Sequence, residues 1–471
     1  MQLHSVTGRI FFTLAVGVGL ALLLLLPAPY QDVILVAAVA SCAVFAARHF
    51  ATMWLAVLAL LPLIRLSGEL FGLNGVTLSR LVTTTLAVVF VLTLRERAVL
   101  HSLRQTNGLR WFGLFVLVNL VSAIYVSSAA AVLTTLGYLE PLFWFAITFG
   151  LVRSGRVTTR DVLRALLWGA VLVALGGLYE WATQQALGKL FDPSLTRMLN
   201  VYMSGYDSNR FGLGGRVSSF IAQPVNASLY WVMVLCVAVY YFRNWARARW
   251  VQAVWVLTAL FFLLLSGTRA GMLALAAVWL VWVVWGLQNT RQRALALAAS
   301  GAAIAALLFL SPTLANYLRA SLESDPDAMA ARNVIWRIAV TRGLLEIFLN
   351  HWLLGYGPGM IYRLAIAGAL PRVDRRYSLA GLENQYATIL AETGILGGMA
   401  YALFMFGVAQ DCARMVRDSV LRARGVLLLA LFAAYFVFAA TSWAVTVIPN
   451  LLLMAVYGAL VADMAAAREK T

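Results

Sequence analysis

Apolar runs long enough to approach the thickness of a lipid bilayer recur along almost the whole chain, and no other feature restricts the fold so tightly. They lie at about 10–26, 33–47, 51–66, 79–94, 111–126, 132–152, 162–182, 227–242, 250–266, 270–287, 294–310, 384–408, 425–443 and 448–466. Several are shorter than the ~20 residues that a perpendicular helix needs to cross the hydrocarbon core. A water-soluble fold is excluded all the same, because 62% of the 471 residues are hydrophobic and only 12% are charged, about half the charged fraction of an ordinary globular domain. In lipid a backbone must satisfy its own polar groups, and unbroken apolar runs do so as helices. The expectation is an all-α polytopic membrane protein of about 12–14 transmembrane helices.

Charge sets the expected orientation. The net charge of +17 would point to nucleic acid in a soluble protein, but here the arginines gather in the connections Arg95–Arg110, Arg153–Arg160, Arg243–Arg249, Arg291–Arg293 and Arg414–Arg424 and in the tail at Arg468 and Lys470. With both termini cytoplasmic and about fourteen spans, all of these face inward, as the positive-inside rule asks. No nucleic-acid partner is expected; membrane lipids are. The first run follows Arg9 and resembles a signal peptide, yet no small-residue cleavage site precedes Pro27–Pro29, so it reads as a retained span. Cys42, Cys236 and Cys412 lie in or beside apolar runs without metal-ligand spacing, so neither a disulfide framework nor a metal site is expected. The organisation read from the sequence is 1–182 as N-terminal transmembrane helices, 183–226 as an outward loop, 227–310 as central transmembrane helices, 311–383 as a large outward cap, and 384–471 as C-terminal transmembrane helices. Loops of such length are usually functional or disordered, and Trp336, Trp352, Tyr356 and Tyr362 favour an ordered cap on the membrane surface.

Chemistry is expected where polar residues break these patterns. Glu383 precedes the run that begins at Asn384, and an ionisable group at a membrane edge is costly enough to suggest a function. A first-turn carboxylate at a helix N-terminus would account for it too. Gly394 and Gly397 follow in the same run and allow close helix packing. Arg216, in Gly214-Gly-Arg-Val-Ser-Ser-Phe-Ile-Ala-Gln-Pro-Val-Asn226, and Arg269, in the tight turn Ser266-Gly-Thr-Arg-Ala-Gly271, both run against the inward charge bias. Outer arginines can simply snorkel, but these two stand beside small residues at the same edge. A guanidinium fork suits phosphate oxygens, and a lipid diphosphate is the anion found at that depth. Glu140-Pro141 puts a carboxylate and a kink inside a span, in a supporting role. His351 is the one histidine of the cap, and its neighbours Trp352, Leu353 and Leu354 suggest an anchor more than a base. The arginines of the cap, Arg332 among them, read as a solvated or substrate-steering surface.

The series Arg216 with Pro224 and Asn226, Ser266-Gly-Thr-Arg269, Arg332 with Trp336, His351-Trp-Leu-Leu-Gly-Tyr-Gly-Pro-Gly359, and Glu383-Asn384 leading to Gly394 and Gly397 resembles the O-antigen ligase/polymerase superfamily of Wzy-type and ligase-type membrane glycosyltransferases. The resemblance covers roughly 210–400. It implies a GT-C-like fold in the bacterial inner membrane, an active site facing the periplasm beneath the 311–383 cap, and no cofactor or metal. Arg216 and Arg269 would bind the diphosphate of an undecaprenyl-diphosphate-linked glycan donor, and Glu383 would activate the acceptor hydroxyl, with the inversion at the anomeric centre that the superfamily implies. Asn384, Glu140, Asn226, Arg332, His351 and Tyr356 would support them. The ligases carry His-Asn where this chain has Glu383-Asn384, and the acidic residue resembles polysaccharide polymerases instead. The acceptor implied is then a lipid-linked glycan, with a chain-length regulator protein as a partner. A ligase acting on lipid A–core, a protein O-oligosaccharyltransferase and a lipid-glycan transporter remain alternatives.

Overall fold

The structure, a computed structural model, describes residues 30–64, 78–93, 106–183, 217, 219–221, 223–246, 248–287, 289–310, 329–366, 384–442 and 448–469. Among them all regular structure is helical. The helices are α1 (Tyr30–Ile64), α2 (Leu78–Thr93), α3 (Asn107–Tyr125), α4 (Ala129–Arg153), α5 (Thr159–Thr183), α6 (Pro224–Tyr241), α7 (Arg249–Ser266), α8 (Arg269–Val281), α9 (Thr290–Leu310), α10 (Met329–Asn350), α11 (Met360–Ile366), α12 (Gln385–Arg417), α13 (Arg422–Ala439) and α14 (Ile448–Arg468). Ten of the described helices are long and apolar enough to cross a membrane, which makes this a multi-pass membrane protein. The expected span 10–26 lies outside the described residues.

Local chemistry explains the helix ends. Thr158 and Asp161 exchange side-chain to backbone hydrogen bonds at the start of α5, Thr158 N–H to Asp161 Oδ2 at 3.1 Å and Asp161 N–H to Thr158 Oγ1 at 3.2 Å. That reciprocal pair satisfies two N–H groups that a helix start leaves open. Pro224 opens α6, where its missing N–H costs nothing. The two expected spans at 33–47 and 51–66 are joined in α1, interrupted where His49 leaves helical geometry (φ −131°, ψ 46°). The apolar part of α2, Arg80–Leu92, is too short to be counted as a span.

The core is built around α14, whose residues from Leu451 to Ala462 are buried on every side. It packs on α4, α5, α6 and α13, while α3 lies along α12 and α13 bridges α8, α6 and α12. A helix apolar on all faces is a helix in the middle of a bundle. By contrast α7 and α8 expose Val254, Leu257, Leu273 and Leu280, as helices do when one face meets lipid.

One end of the bundle collects arginines. There Asp411 accepts a hydrogen bond from Tyr457 Oη (2.5 Å) and from the Gly108 N–H (3.2 Å), tying α12 to α14 and α3. Asp463 on α14 accepts from Thr159 Oγ1 at 2.8 Å and pairs with Arg424 at 3.0 Å, and Arg153 pairs with Glu469. Arg422 donates to the Trp285 carbonyl at 3.3 Å, which fixes the start of α13 beside the end of α8.

The opposite end holds a smaller helical cluster. The helices α10 and α11 fall within 311–383, and α10 turns Val340, Leu344 and Ile347 onto Ile361, Ala387 and Ala391. The spacing of three and four residues puts one stripe of α10 against α12.

Candidate functional site

The helix that follows Glu383 does not run straight. Gly394 interrupts α12 at φ 65°, ψ −166°, a backbone region open essentially to glycine alone. Gln385 Nε2 nevertheless donates to Tyr401 Oη, 16 residues away, and to Tyr435 Oη at 3.3 Å. In one straight helix those 16 residues would separate the two backbones by about 24 Å, roughly twice what the two side chains can reach. The limb 385–393 therefore folds back along 395–417, and Tyr386 confirms it by donating to the Phe436 carbonyl of α13 at 2.7 Å. Asn384 caps the limb, its side chain accepting from the N–H groups of Tyr386 (3.1 Å) and Ala387 (3.2 Å). The chain thus leaves position 384 from inside the bundle, not from its rim, and Gly394 combines the expected close packing, against the Leu353 backbone, with a reversal. Glu383 itself lies outside the described residues.

A broken helix leaves peptide groups without partners, and in a bundle that excludes water they must find them in protein. The glycine-rich loop 351–359 supplies them. Tyr356 N–H donates to the Ala391 carbonyl at 3.0 Å and Gly357 N–H to the Glu392 carbonyl at 2.8 Å, while Ile395 N–H donates to the Trp352 carbonyl at 2.7 Å. Ser122 of α3 adds its hydroxyl to the Leu354 carbonyl at 2.6 Å and to the Glu392 carbonyl at 3.2 Å. Two backbones this close admit no side chain between them: a Cβ on Gly355 would stand 2.3 Å from the Glu392 carbonyl carbon. The Glu392 side chain is 2% exposed, and its Oε1 meets no hydrogen-bond donor among the described residues.

A second inserted segment lies by α5 and α7. Val217 N–H donates to the Leu265 carbonyl at 3.1 Å, Ser219 N–H to Glu180 Oε2 at 2.7 Å and Ser219 Oγ to the Val173 carbonyl at 2.7 Å. The turn at Gly267 (φ 60°) and Thr268 then starts α8 with Arg269. Arg269 is half-buried, its Nε and Nη2 shielded from solvent. Arg216 lies outside the described residues; the residue after it is held at the turn that carries Arg269.

Both inserted segments reach similar heights above the arginine-rich end. Counting helical rise, Leu265 stands about 24 Å along α7 from Arg249, Val173 about 21 Å along α5 from Thr159, and Tyr401 about 24 Å along α12 from Arg417. Between the two segments runs α13, packed on both α8 and α12. Its start adjoins the end of α8, so its C-terminal turns, where Phe436 receives Tyr386, run toward the Arg269 turn.

The remaining expected residues are distributed around this frame. Glu140 is buried beside Pro141 in α4 and accepts from Thr83 Oγ1 at 3.5 Å, while Thr83 Oγ1 in turn accepts from Trp144 Nε1 at 3.2 Å. The Arg80 guanidinium lies against Gly137, one turn away. Asn226 is buried in the first turn of α6, its Nδ2 donating to Gln223 Oε1 at 3.0 Å. His351 is exposed and meets Tyr356 edge-on, ring centroids 4.1 Å apart. It sits on the outside of the loop whose backbone seals the helix break. Arg332 falls on α10, its side chain outside the described set. Gln385, Tyr386, Glu392, Ser122 and Glu180 were not expected at the site. The signal for two of them was present: a carboxylate inside an apolar run is costly unless it has a task.

Residues 254–402 match the family described as O-Antigen ligase. That stretch opens in α7 and closes in α12, so it takes in the Arg269 turn, α10, the glycine loop and the reversed limb. The match supports placing the chain in the O-antigen ligase/polymerase superfamily. No curated protein matches it.

Proposed function

We propose that this member of the O-antigen ligase/polymerase superfamily is a polysaccharide polymerase that transfers a glycan from an undecaprenyl-diphosphate donor to a hydroxyl of a lipid-linked acceptor sugar. The arginine-rich end faces the cytoplasm of a bacterial inner membrane, following the positive-inside rule, and the end with the glycine loop faces the periplasm. The observation that supports this reading is the shared height of the two inserted segments: one starts at Val217, bound to the Leu265 carbonyl beside the Arg269 turn and next in sequence to Arg216, and the other starts directly after Glu383.

In the reaction, Glu383 takes the proton of the acceptor hydroxyl as its oxygen attacks the anomeric carbon. The bond from that carbon to the diphosphate oxygen breaks, its electron pair leaving with undecaprenyl diphosphate, and the anomeric centre inverts. Arg216 and Arg269 neutralise the departing diphosphate, which needs no proton to leave; stabilising charge that develops in the transition state is the large electrostatic contribution. A single general base then suffices.

Purified protein supplied with lipid-linked repeat units is expected to yield a ladder of chain lengths. A single addition to lipid A–core would instead assign a ligase, and addition to a protein Ser or Thr an oligosaccharyltransferase. Glu383→Gln should abolish transfer and leave donor binding intact. Undiminished transfer by that variant would remove Glu383 as the base, and transport without transfer would make the protein a carrier.

A further inference from the structure

The helix α10 is apolar on two sides, and protein covers one of them. Val340, Leu344 and Ile347 are buried with Ile361, Ala387 and Ala391. Ile338, Leu345 and Leu349 are instead exposed, at 64%, 41% and 68%. At 3.6 residues per turn these three fall within about 40° of one another and about 150° from the buried three. They make a second stripe on the opposite side of the helix. Arg342 and Glu346 run along its edge, paired at 3.1 Å with both side chains open to the surroundings.

What meets the stripe follows from where it ends. Past Asn350 the chain turns, and Trp352 and Leu353, 58% and 45% exposed, extend the apolar surface. Tyr356 turns the other way, onto the buried cluster. The Trp352 carbonyl receives the Ile395 N–H at 2.7 Å and the Leu353 carbonyl the Leu396 N–H at 3.5 Å, so both residues stand at the outer start of the long limb of α12. That limb belongs to one of the ten candidate spans, and it exposes Leu396, Met399 and Phe406 on one helical face. In a membrane bundle such a face meets acyl chains. Leu396 lies about 32 Å along the helix from Arg417, at the edge of a hydrocarbon core about 30 Å thick. The lipid-facing side of a span thus continues across Trp352, at the level where tryptophan gathers in membrane proteins, and onto α10.

We propose that α10 is an interfacial helix seated in the bilayer, with Ile338, Leu345, Leu349, Trp352 and Leu353 among the acyl chains and Arg342 and Glu346 at the headgroups. Interfacial helices bury their apolar side ~5–10 Å into this boundary. Here the opposite side is fastened to protein, so α10 stands as a wall between lipid and the limb 385–393. The seat is independent of every catalytic assignment; only naming its leaflet as the periplasmic one rests on the orientation given under the proposed function.

The test uses the full-length chain in lipid nanodiscs, with Cys42, Cys236 and Cys412 replaced by alanine and a nitroxide attached to Leu345→Cys, Leu349→Cys or Glu346→Cys, and to Met399→Cys as the reference on a span. Collisions with oxygen, which concentrates in lipid, are compared with collisions with a water-soluble nickel chelate. Oxygen is expected to dominate at 345 and 349 as it does at 399, and nickel at 346. Nickel dominating at 345 and 349 would place the stripe in water and overturn the proposal. Weak collision with both reagents at 345 and 349 would put protein over the stripe, a second copy or another chain, and would overturn it as well. A second measurement keeps the native cysteines. Lipids brominated high on the acyl chain should quench the tryptophan emission of the unaltered protein by a larger fraction than that of Trp352→Phe, and equal quenching would place Trp352 outside the lipid and refute the seat.

Discussion

Replacing Gly394 by alanine probes the reversal of α12 directly. At φ 65°, ψ −166° an alanine carries a backbone strain of about 1–3 kcal/mol. Its Cβ would also stand 2.2 Å from the Leu353 carbonyl oxygen and 2.5 Å from the Leu354 nitrogen. Those are backbone atoms, so the loop must retreat by roughly 1 Å or more to reach van der Waals contact. Retreat stretches the bonds from Ile395 N–H to the Trp352 carbonyl (2.7 Å) and from Gly357 N–H to the Glu392 carbonyl (2.8 Å), each worth about 1–3 kcal/mol when its partner is left buried and unpaired. The sum, about 3–9 kcal/mol, is comparable to the whole stability of a typical domain, about 5–15 kcal/mol. Gly394→Ala should therefore lose most of its folded fraction, read as monodisperse protein surviving a thermal challenge in detergent. Gly113→Ala on α3 is the control, because nothing lies within 4 Å of its added Cβ and alanine favours a helix by about 1 kcal/mol over glycine. Equal thermal survival of the two variants would refute the reversal.

Three further substitutions test other joints of the same frame. Asp411→Ala leaves Tyr457 Oη and Gly108 N–H without their acceptor and should cost about 2–4 kcal/mol in thermal unfolding, against less for Asp411→Asn; equal losses would mean that the acceptor geometry is irrelevant. Ser122→Ala removes the hydroxyl from the Leu354 and Glu392 carbonyls, and a loss of about 1–2 kcal/mol with faster hydrogen exchange at Tyr356 and Gly357 is expected; unchanged exchange there would separate Ser122 from the seal. Gln385→Leu strips the donor shared by Tyr401 and Tyr435, which should lower stability by about 1–3 kcal/mol, whereas a gain would show that the buried amide is the worse occupant.

The membrane class and most of the spans could be read from the chain because hydropathy reports burial in lipid, and it does so residue by residue. Direction is another matter. The run at 384–408 is apolar on average, so it reads as one helix, and the pairing of Gln385 with Tyr401 reveals two limbs. The Ser266–Arg269 turn was legible because four polar or small residues interrupt the apolar sequence on either side of it, and the start of a run at Asn384 was legible from hydropathy, although the cap that its side chain forms was not. The loop 351–359 showed its glycines in sequence but not its purpose, because its hydrogen-bond partners Ala391 and Glu392 lie far along the chain from Tyr356 and Gly357. His351 drew attention as a titratable group, yet the backbone beneath it carries the contact. Glu180 and Glu392 escaped because each stands inside a run whose average hydropathy conceals one carboxylate.

Why the site should lie on inserted segments follows from what a bilayer permits. A regular span presents side chains but keeps its peptide groups to itself, so a bundle of continuous helices has few N–H groups to offer a polar reactant at depth. A segment that enters and turns back brings helix starts and loops inward, and each must then be sealed by protein. The two insertions, at about 21–24 Å from the arginine-rich end, stop several ångströms short of a hydrocarbon core about 30 Å thick. Under the proposed reaction, a donor diphosphate drawn to that level meets Arg269 just beneath the outer surface, where a guanidinium interacts more strongly than in bulk water. Moving the insertions outward would give the charge back to water, and moving them inward would strand a polyanion in lipid. The seals at Gly394 and Ser219 hold that height.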